Sequence, residues 1–285
     1  SAQAGHKVNI NGNSYSFQNL CSGALNNKDI NVWISPYSAI NIEDFEKEIQ
    51  YYKEFGVNLS NIYIDKLAGI ISEDDRKQEE ELAKSIGSCG TGVLGILLSR
   101  LRREKYKTFK EYDNIHNLNI VDNIAQQINE KLDLGENLLI EGNAGFFLDL
   151  VHSGQYPNVT ATSTCASNWI TDFGISPLLV NRVVMVVKSY MTRVGQNTGG
   201  CLDDQKEVEW SKISKHCNRE ICEYGSKTGR KRRIFTFSKK MYEMAYQINR
   251  PTDIILSMCD YLHPSIYGLT NLNFNSEAEY QIESW

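Results

Sequence analysis

Several short segments of this chain concentrate the residue types that handle anions and protons. Ala4-Gly5-His6 sets an imidazole behind a small-Gly turn that lets the backbone approach a ligand. Such a histidine can donate or accept a proton, and a purely structural histidine would read the same. Ile86-Gly87-Ser88-Cys89-Gly90-Thr91-Gly92, followed by Arg100, Arg102 and Arg103, places glycines and hydroxyls ahead of a helix. Free amides there form an anion cradle, although a flexible turn shares the pattern. Glu141-Gly142-Asn143-Ala144-Gly145 leads to the hydroxyl-rich run Tyr156-Pro157-Asn158-Val159-Thr160-Ala161-Thr162-Ser163-Thr164, suited to a phosphate, a sugar or an ordinary polar loop. Thr228-Gly229-Arg230-Lys231-Arg232-Arg233 packs cations beside a glycine, where arginine forks bind carboxylates or phosphates through paired bonds. Ser257-Met258-Cys259-Asp260 ends the series with a carboxylate able to accept from guanine N1–H and its 2-amino group.

These segments need strands and helices to hold them. Lys7 to Ile10 and Ser14 to Phe17 flank Asn11-Gly12-Asn13 and predict a hairpin. Ile30 to Ile34 and Leu59 to Asp65 read as strands. Ile42 to Phe55 reads as a helix with Ile42, Phe45, Ile49 and Tyr52 on one face and Gly56 past its end. Asp74 to Ser85 is charged enough for a solvated helix, and Val121 to Leu132 is helical. Asn137 to Ile140 reads as a short strand feeding a glycine turn. Leu178 to Tyr190 fits either strand or buried helix. Ser238 to Ile248 is an amphipathic helix, and Ile254 to Ser257 a buried strand. The alternation predicts an α/β fold: a largely parallel central sheet with flanking helices, and ligands at the strand ends.

The bulk properties narrow the function. The formal net charge is -5 over 285 residues, so nothing global draws the chain to nucleic acid or to an anionic membrane, and a polyanion must be held locally. With 41% hydrophobic and 23% charged residues, the chain resembles an ordinary soluble domain. No apolar run approaches a membrane span, and no repeat or linker divides residues 1–285, which predicts a single domain. The seven cysteines contain no CxxC pair, and Cys217 and Cys222 near His216 lack a second half for a zinc site. Isolated reduced thiols in a cytoplasmic protein, host cytoplasm if the source is viral, are the expectation.

In this order the segments resemble the adenylosuccinate synthetase family. The resemblance is most specific in Glu141-Gly142 to Gly145 and Asp149, in Tyr156-Pro157 to Thr160, in Lys188-Ser189-Tyr190-Met191-Thr192-Arg193-Val194-Gly195, and in Thr228 to Arg233. It implies a P-loop-NTPase-like synthetase fold and a magnesium-assisted ligase. Such an enzyme moves the γ-phosphoryl group of a triphosphate to O6 of a purine nucleoside monophosphate, after which the aspartate amine displaces phosphate at C6. By the same resemblance His6 is the catalytic donor or general acid at the transferred group. Ser88, Cys89 and Thr160 contact nucleotide phosphate, with Gln3 and Asn143 in the same nucleotide site, and Arg103 reaches the neighbouring site of a homodimer. Thr228, Arg230 and Arg232 grip L-aspartate, while Asp260 and Met258 stand at the base of the triphosphate, GTP, ATP or dATP.

Some positions depart from the family. Cys89 stands for a threonine, Ala144 for a glutamine near the base, Gln3 for an asparagine and Met258 for a lysine along guanine. A Gly-Asp-Glu-Gly-Lys-Gly-Lys loop carrying the catalytic aspartate and part of the magnesium site is expected ahead of Ala4, and further C-terminal chain after Asp260. Short length and altered base contacts resemble the phage and archaeal branch, where dGMP can replace IMP. A non-catalytic nucleotide-binding relative is the other reading.

Overall fold

The computed structural model describes residues 5–194, 201–226, 229–269 and 276–284. The chain opens with β1 (His6–Ile10) and β2 (Asn13–Phe17), an antiparallel hairpin pairing His6 with Phe17 and Ile10 with Asn13. Both turn residues, Asn11 and Gly12, have positive φ (51° and 80°), which is why Asn-Gly suits this turn. After β3 (Val32–Ile34) and β4 (Ala39–Ile40) comes α1 (Ile42–Phe55). The Asn41 side chain caps it by accepting the Glu43 and Asp44 amides, and Gly56 ends it in the left-handed region. Its buried face carries Phe45, Ile49 and Tyr52, which join Phe17, Ile34, Ile62 and Ile64 in the main apolar core.

The middle of the chain continues through β5 (Ile62–Asp65), β6 (Gly69–Ile70), α2 (Glu73–Ser85), α3 (Val93–Arg102), β7 (Asn119–Val121) and α4 (Ile124–Asp133). The last part holds α5 (Ala166–Asp172), β8 (Val184–Lys188), β9 (Met191–Val194), β10 (Glu207–Val208) and α6 (Trp210–His216). It ends with β11 (Arg232–Phe235), α7 (Lys239–Asn249), β12 (Asp253–Ser257) and α8 (Ser276–Ser284). Parallel ladders join β3, β5 and β7, then β4 and β6, then β8 and β12; β9, β11 and β10 form an antiparallel ladder. The fold is α/β with parallel sheets and helices. No described helix is long and apolar enough to cross a membrane.

The ambiguous Val-rich stretch is strand β8, in parallel register with β12 from Val184 opposite Asp253 to Lys188 opposite Ser257. Val184, Val186, Ile254 and Ile255 stand exposed along this pair. The strand at Ile254 to Ser257 is thus not buried as expected, and two further expectations are corrected. Asn137 to Ile140 forms no strand, because no neighbouring strand offers it a ladder; Leu138 and Ile140 instead pack against Ile124, Ile128 and Ile175 while Leu139 is exposed. Nor is α2 merely a solvated helix, since Asp75 and Glu79 are both buried.

Candidate functional site

A cleft of about 1580 Å³ runs along β8 and β9 and is walled by loops from distant parts of the sequence. Ser88, Cys89, Asn143, Ala144, Thr160 and Arg232 all line it, so the structure gathers some of the residues singled out from the sequence, while Arg230 does not line it. Two close approaches need glycine. A Cβ on Gly142 would lie 2.5 Å from Trp169 Nε1, and one on Gly5 would lie 2.7 Å from the Ser226 hydroxyl. Ser226 Oγ also donates to the Gly5 carbonyl (3.1 Å), which ties the start of β1 to the arm that carries Arg230.

Thr160 is placed by a buried carboxylate. Asp149, 0% exposed, accepts from the Val151 and His152 amides (3.0 and 2.8 Å), the Ser163 hydroxyl (2.7 Å) and the Thr164 amide (2.7 Å). Burial pushes its pKa up, but these donors outweigh burial and hold the carboxyl well below the usual range. The loop closes as the Thr160 amide donates to Leu148 O (2.8 Å). From β9, the buried Arg193 steadies the same loop, donating to Asn158 O (2.9 Å) while its guanidinium rests 5.3 Å from the Phe147 ring centre. Burial, with Arg233 adding repulsion, lowers Arg193 to about 10, so it stays charged at neutral pH.

His6 stacks on Phe17 (5.8 Å between ring centres) and accepts the Ser22 amide at Nε2 (3.3 Å). An accepting Nε2 leaves the ring proton on Nδ1. Burial lowers its pKa, and the Glu141 carboxylate only partly opposes this, so the neutral imidazole is favoured.

The expected anion cradle differs from the sequence reading in one respect. The amides of Gly92 and Leu94 at the start of α3 are already taken by the two carboxylate oxygens of Glu79, each at 2.7 Å. An internal carboxylate thus fills the helix N-terminus, and Ser88 and Cys89 face the cleft from the preceding turn. Arg230 bridges to that turn, donating from Nη1 to Gly87 O (3.1 Å) and from Nη2 to Ser88 O (3.3 Å). Arg232 lies 3.9 Å from Glu223, whose oxygens also receive Lys188 Nζ (2.8 and 2.6 Å). Burial lowers the Lys188 pKa and Glu223 opposes that shift. Lys188 and Arg232 against one carboxylate leave the cluster with an excess positive charge, enough to take a further carboxylate.

Other expected residues are not brought into this cleft. Arg103 is exposed at the left-handed C-cap of α3, about 15 Å along the helix from the Ser88 end. Met258 (φ 59°) and Asp260 follow β12 and do not line the cleft; Asp260 is ion-paired with Arg219. His6 borders the cleft only through Gly5. Gln3 and Thr228 lie outside the described residues. Glu79, Glu223 and Arg219 carried no sequence signal, because their partners are distant in the chain. Lys188 and Arg193 stood in a recognised motif without an assigned role.

Among the described residues one cluster of three close donor groups bears on magnesium, and its chemistry does not suit the ion. The one group of close donors, Asp149, His152 and Cys165, has its carboxylate already saturated by N–H and O–H donors and offers nitrogen and sulfur besides, whereas Mg²⁺ takes oxygen ligands.

An α/β fold with hydroxyl loops and paired cations converging on an open cleft defines a protein furnished for small anionic substrates. The adenylosuccinate synthetase family model matches residues 1–110 and 97–266. The adenylosuccinate synthetase of Methanocaldococcus jannaschii is 34% identical over 278 residues, 96% of this chain and 76% of that protein. That of Methanococcus aeolicus is 33% identical over 94% of this chain and 76% of its own length. Among solved structures, the succinoaminodeoxyadenylate synthetase of cyanophage S-2L, bound to dGMP and dATP, superposes with a TM-score of 0.79 at 23% identity, covering 93% of this chain and 76% of that one. Adenylosuccinate synthetase from Plasmodium falciparum gives 0.73 at 24% identity, over 92% and 69%. The chain belongs to the adenylosuccinate synthetase family, and is a ligase of purine biosynthesis.

Proposed function

We propose that this ligase joins L-aspartate to C6 of dGMP through a 6-phosphoryl intermediate, with an adenine triphosphate and Mg²⁺, in the manner of the phage enzymes that make 2-aminoadenine precursors. The observation that carries this reading is Ala144. It lines the cleft with a single methyl group, in the left-handed region (φ 59°), at the position where the family carries a glutamine near the base. A methyl there leaves room beside the purine for a 2-amino group that a glutamine would crowd. His6 serves as donor to the transferred phosphoryl group. Ser88, Cys89, Asn143 and Thr160, with Gln3, hold the acceptor nucleotide. Arg230 and Arg232, with Thr228, hold aspartate, and Arg103 acts on the partner's site in a homodimer.

The archaeal relatives at 33–34% identity favour IMP with GTP as the second reading. Phosphate release and product mass, measured for the full-length protein with dGMP or IMP, ATP or GTP, and aspartate, separate the two. Turnover with dGMP and not IMP supports the proposal, and turnover only with IMP and GTP sinks it.

A further inference from the structure

Asp260 does not stand alone. Arg219 Nη2 donates to its Oδ2, and the Arg219 guanidinium lies 3.9 Å from the centre of the Tyr267 ring. Arg219 Nε is buried with no hydrogen-bond partner among the described residues. The pair is held in register by its surroundings. Cys217 Sγ bonds to Asp260 O (3.4 Å), His216 Nε2 bonds to Leu262 O (2.8 Å), and Ser189 Oγ donates to Met258 O (2.6 Å). Both side chains of the pair remain about a quarter exposed (26% and 23%), so a ligand can reach them.

A lone carboxylate presents two acceptors, the complement of the N1–H and 2-amino donors of guanine. Arginine bonded to one oxygen of that carboxylate changes the pattern to a donor beside an acceptor. Adenine offers the matching edge, a 6-amino donor next to the N1 acceptor. Guanine would press two donors against a site that now contains an arginine. We propose that Arg219, acting through Asp260, makes the triphosphate site select adenine over guanine. This rests on the reading that Asp260 stands at the triphosphate base.

The test compares ATP with GTP in the wild type, in Arg219→Ala and in the double variant Arg219→Ala/Asp260→Asn. Steady-state turnover and calorimetric binding to the full chain are both read. The wild type should prefer ATP. Arg219→Ala should move the ATP:GTP ratio of kcat/KM, and of Kd, toward GTP by about tenfold, as expected when one paired base contact is exchanged. Asparagine offers a donor and an acceptor from one side chain, so the double variant should regain the adenine preference. A wild type that prefers GTP, or a ratio unmoved in Arg219→Ala, overturns the proposal. If turnover is absent with every triphosphate while the Kd ratio still shifts, the selectivity proposal stands and the ligase reading fails.

Discussion

Neutral His6 and ionised Asp149 sit at opposite ends of the protonation problem, and each makes a checkable prediction. The folded pKa of His6 lies below its ordinary 6.5, so its contribution to stability is present above that value and is lost as pH falls through it. The difference in unfolding free energy between wild type and His6→Asn should therefore shrink from pH 7.5 to pH 5.5 in urea titrations. Turnover of His6→Ala should drop at least a hundredfold, the scale of a lost general acid; unchanged turnover would refute the assignment. The folded pKa of Asp149 is depressed, so the stability it supplies is complete above the ordinary carboxylate pKa of about 4 and disappears as pH falls below it. Asp149→Ala should cost about 3 kcal/mol at pH 7, because it strands buried amide and hydroxyl donors. The loss should be smaller at pH 3, which denaturation at the two pH values checks.

At the level of elements, α1 and α3 show what a sequence can reveal. Helix α1 was legible, since its apolar spacing and its Gly56 stop lie within or next to the segment itself, and its Asn41 cap was found in the structure. The start of α3 was not. Its cap is Glu79, which lies 13 and 15 residues before the amides it accepts, and only the packing of α2 on α3 brings it there. A charged stretch therefore read as solvated although its key carboxylate is buried. Similarly, Arg232 was visible in the 228–233 segment, but that it shares the Glu223 carboxylate with Lys188, 35 residues from Glu223, appears only in the folded chain. The motif residues that line the cleft lie within single loops and were readable as such, whereas the contacts between loops came from the fold. Glu79→Ala should cost about 2 kcal/mol by leaving the amides of Gly92 and Leu94 unsatisfied, and Glu79→Gln, which keeps one acceptor, should cost less. Chemical denaturation measures both. If the turn ahead of α3 holds the acceptor phosphate, the same variants should raise KM for the nucleotide more than they lower kcat.

For the whole molecule, the position of Arg103 separates it from the cleft of its own protomer. In a homodimer with shared sites, Arg103→Ala and His6→Ala would damage opposite contributions to each site. Mixing the two inactive variants should restore measurable turnover, whereas strictly independent protomers would give none. Sedimentation at assay concentration shows whether the dimer forms. The fit of the chain to the phage and parasite enzymes, at TM-scores of 0.79 and 0.73 despite 23–24% identity, shows that the α/β scaffold is shared.

The bridge from Arg230 to the carbonyls of Gly87 and Ser88 has a thermodynamic consequence. If Arg230 turns both its terminal nitrogens to grip the aspartate carboxylate, as proposed, it releases at least one of those carbonyls, and a nucleotide phosphate held at the Ser88 turn would feel the arrival of the amino acid. Linkage makes this reciprocal: whatever factor aspartate applies to nucleotide affinity, the nucleotide applies to aspartate. Binding isotherms of each ligand at saturating levels of the other should show one common factor, and Arg230→Lys, which keeps the charge but not the fork, should bring that factor close to one.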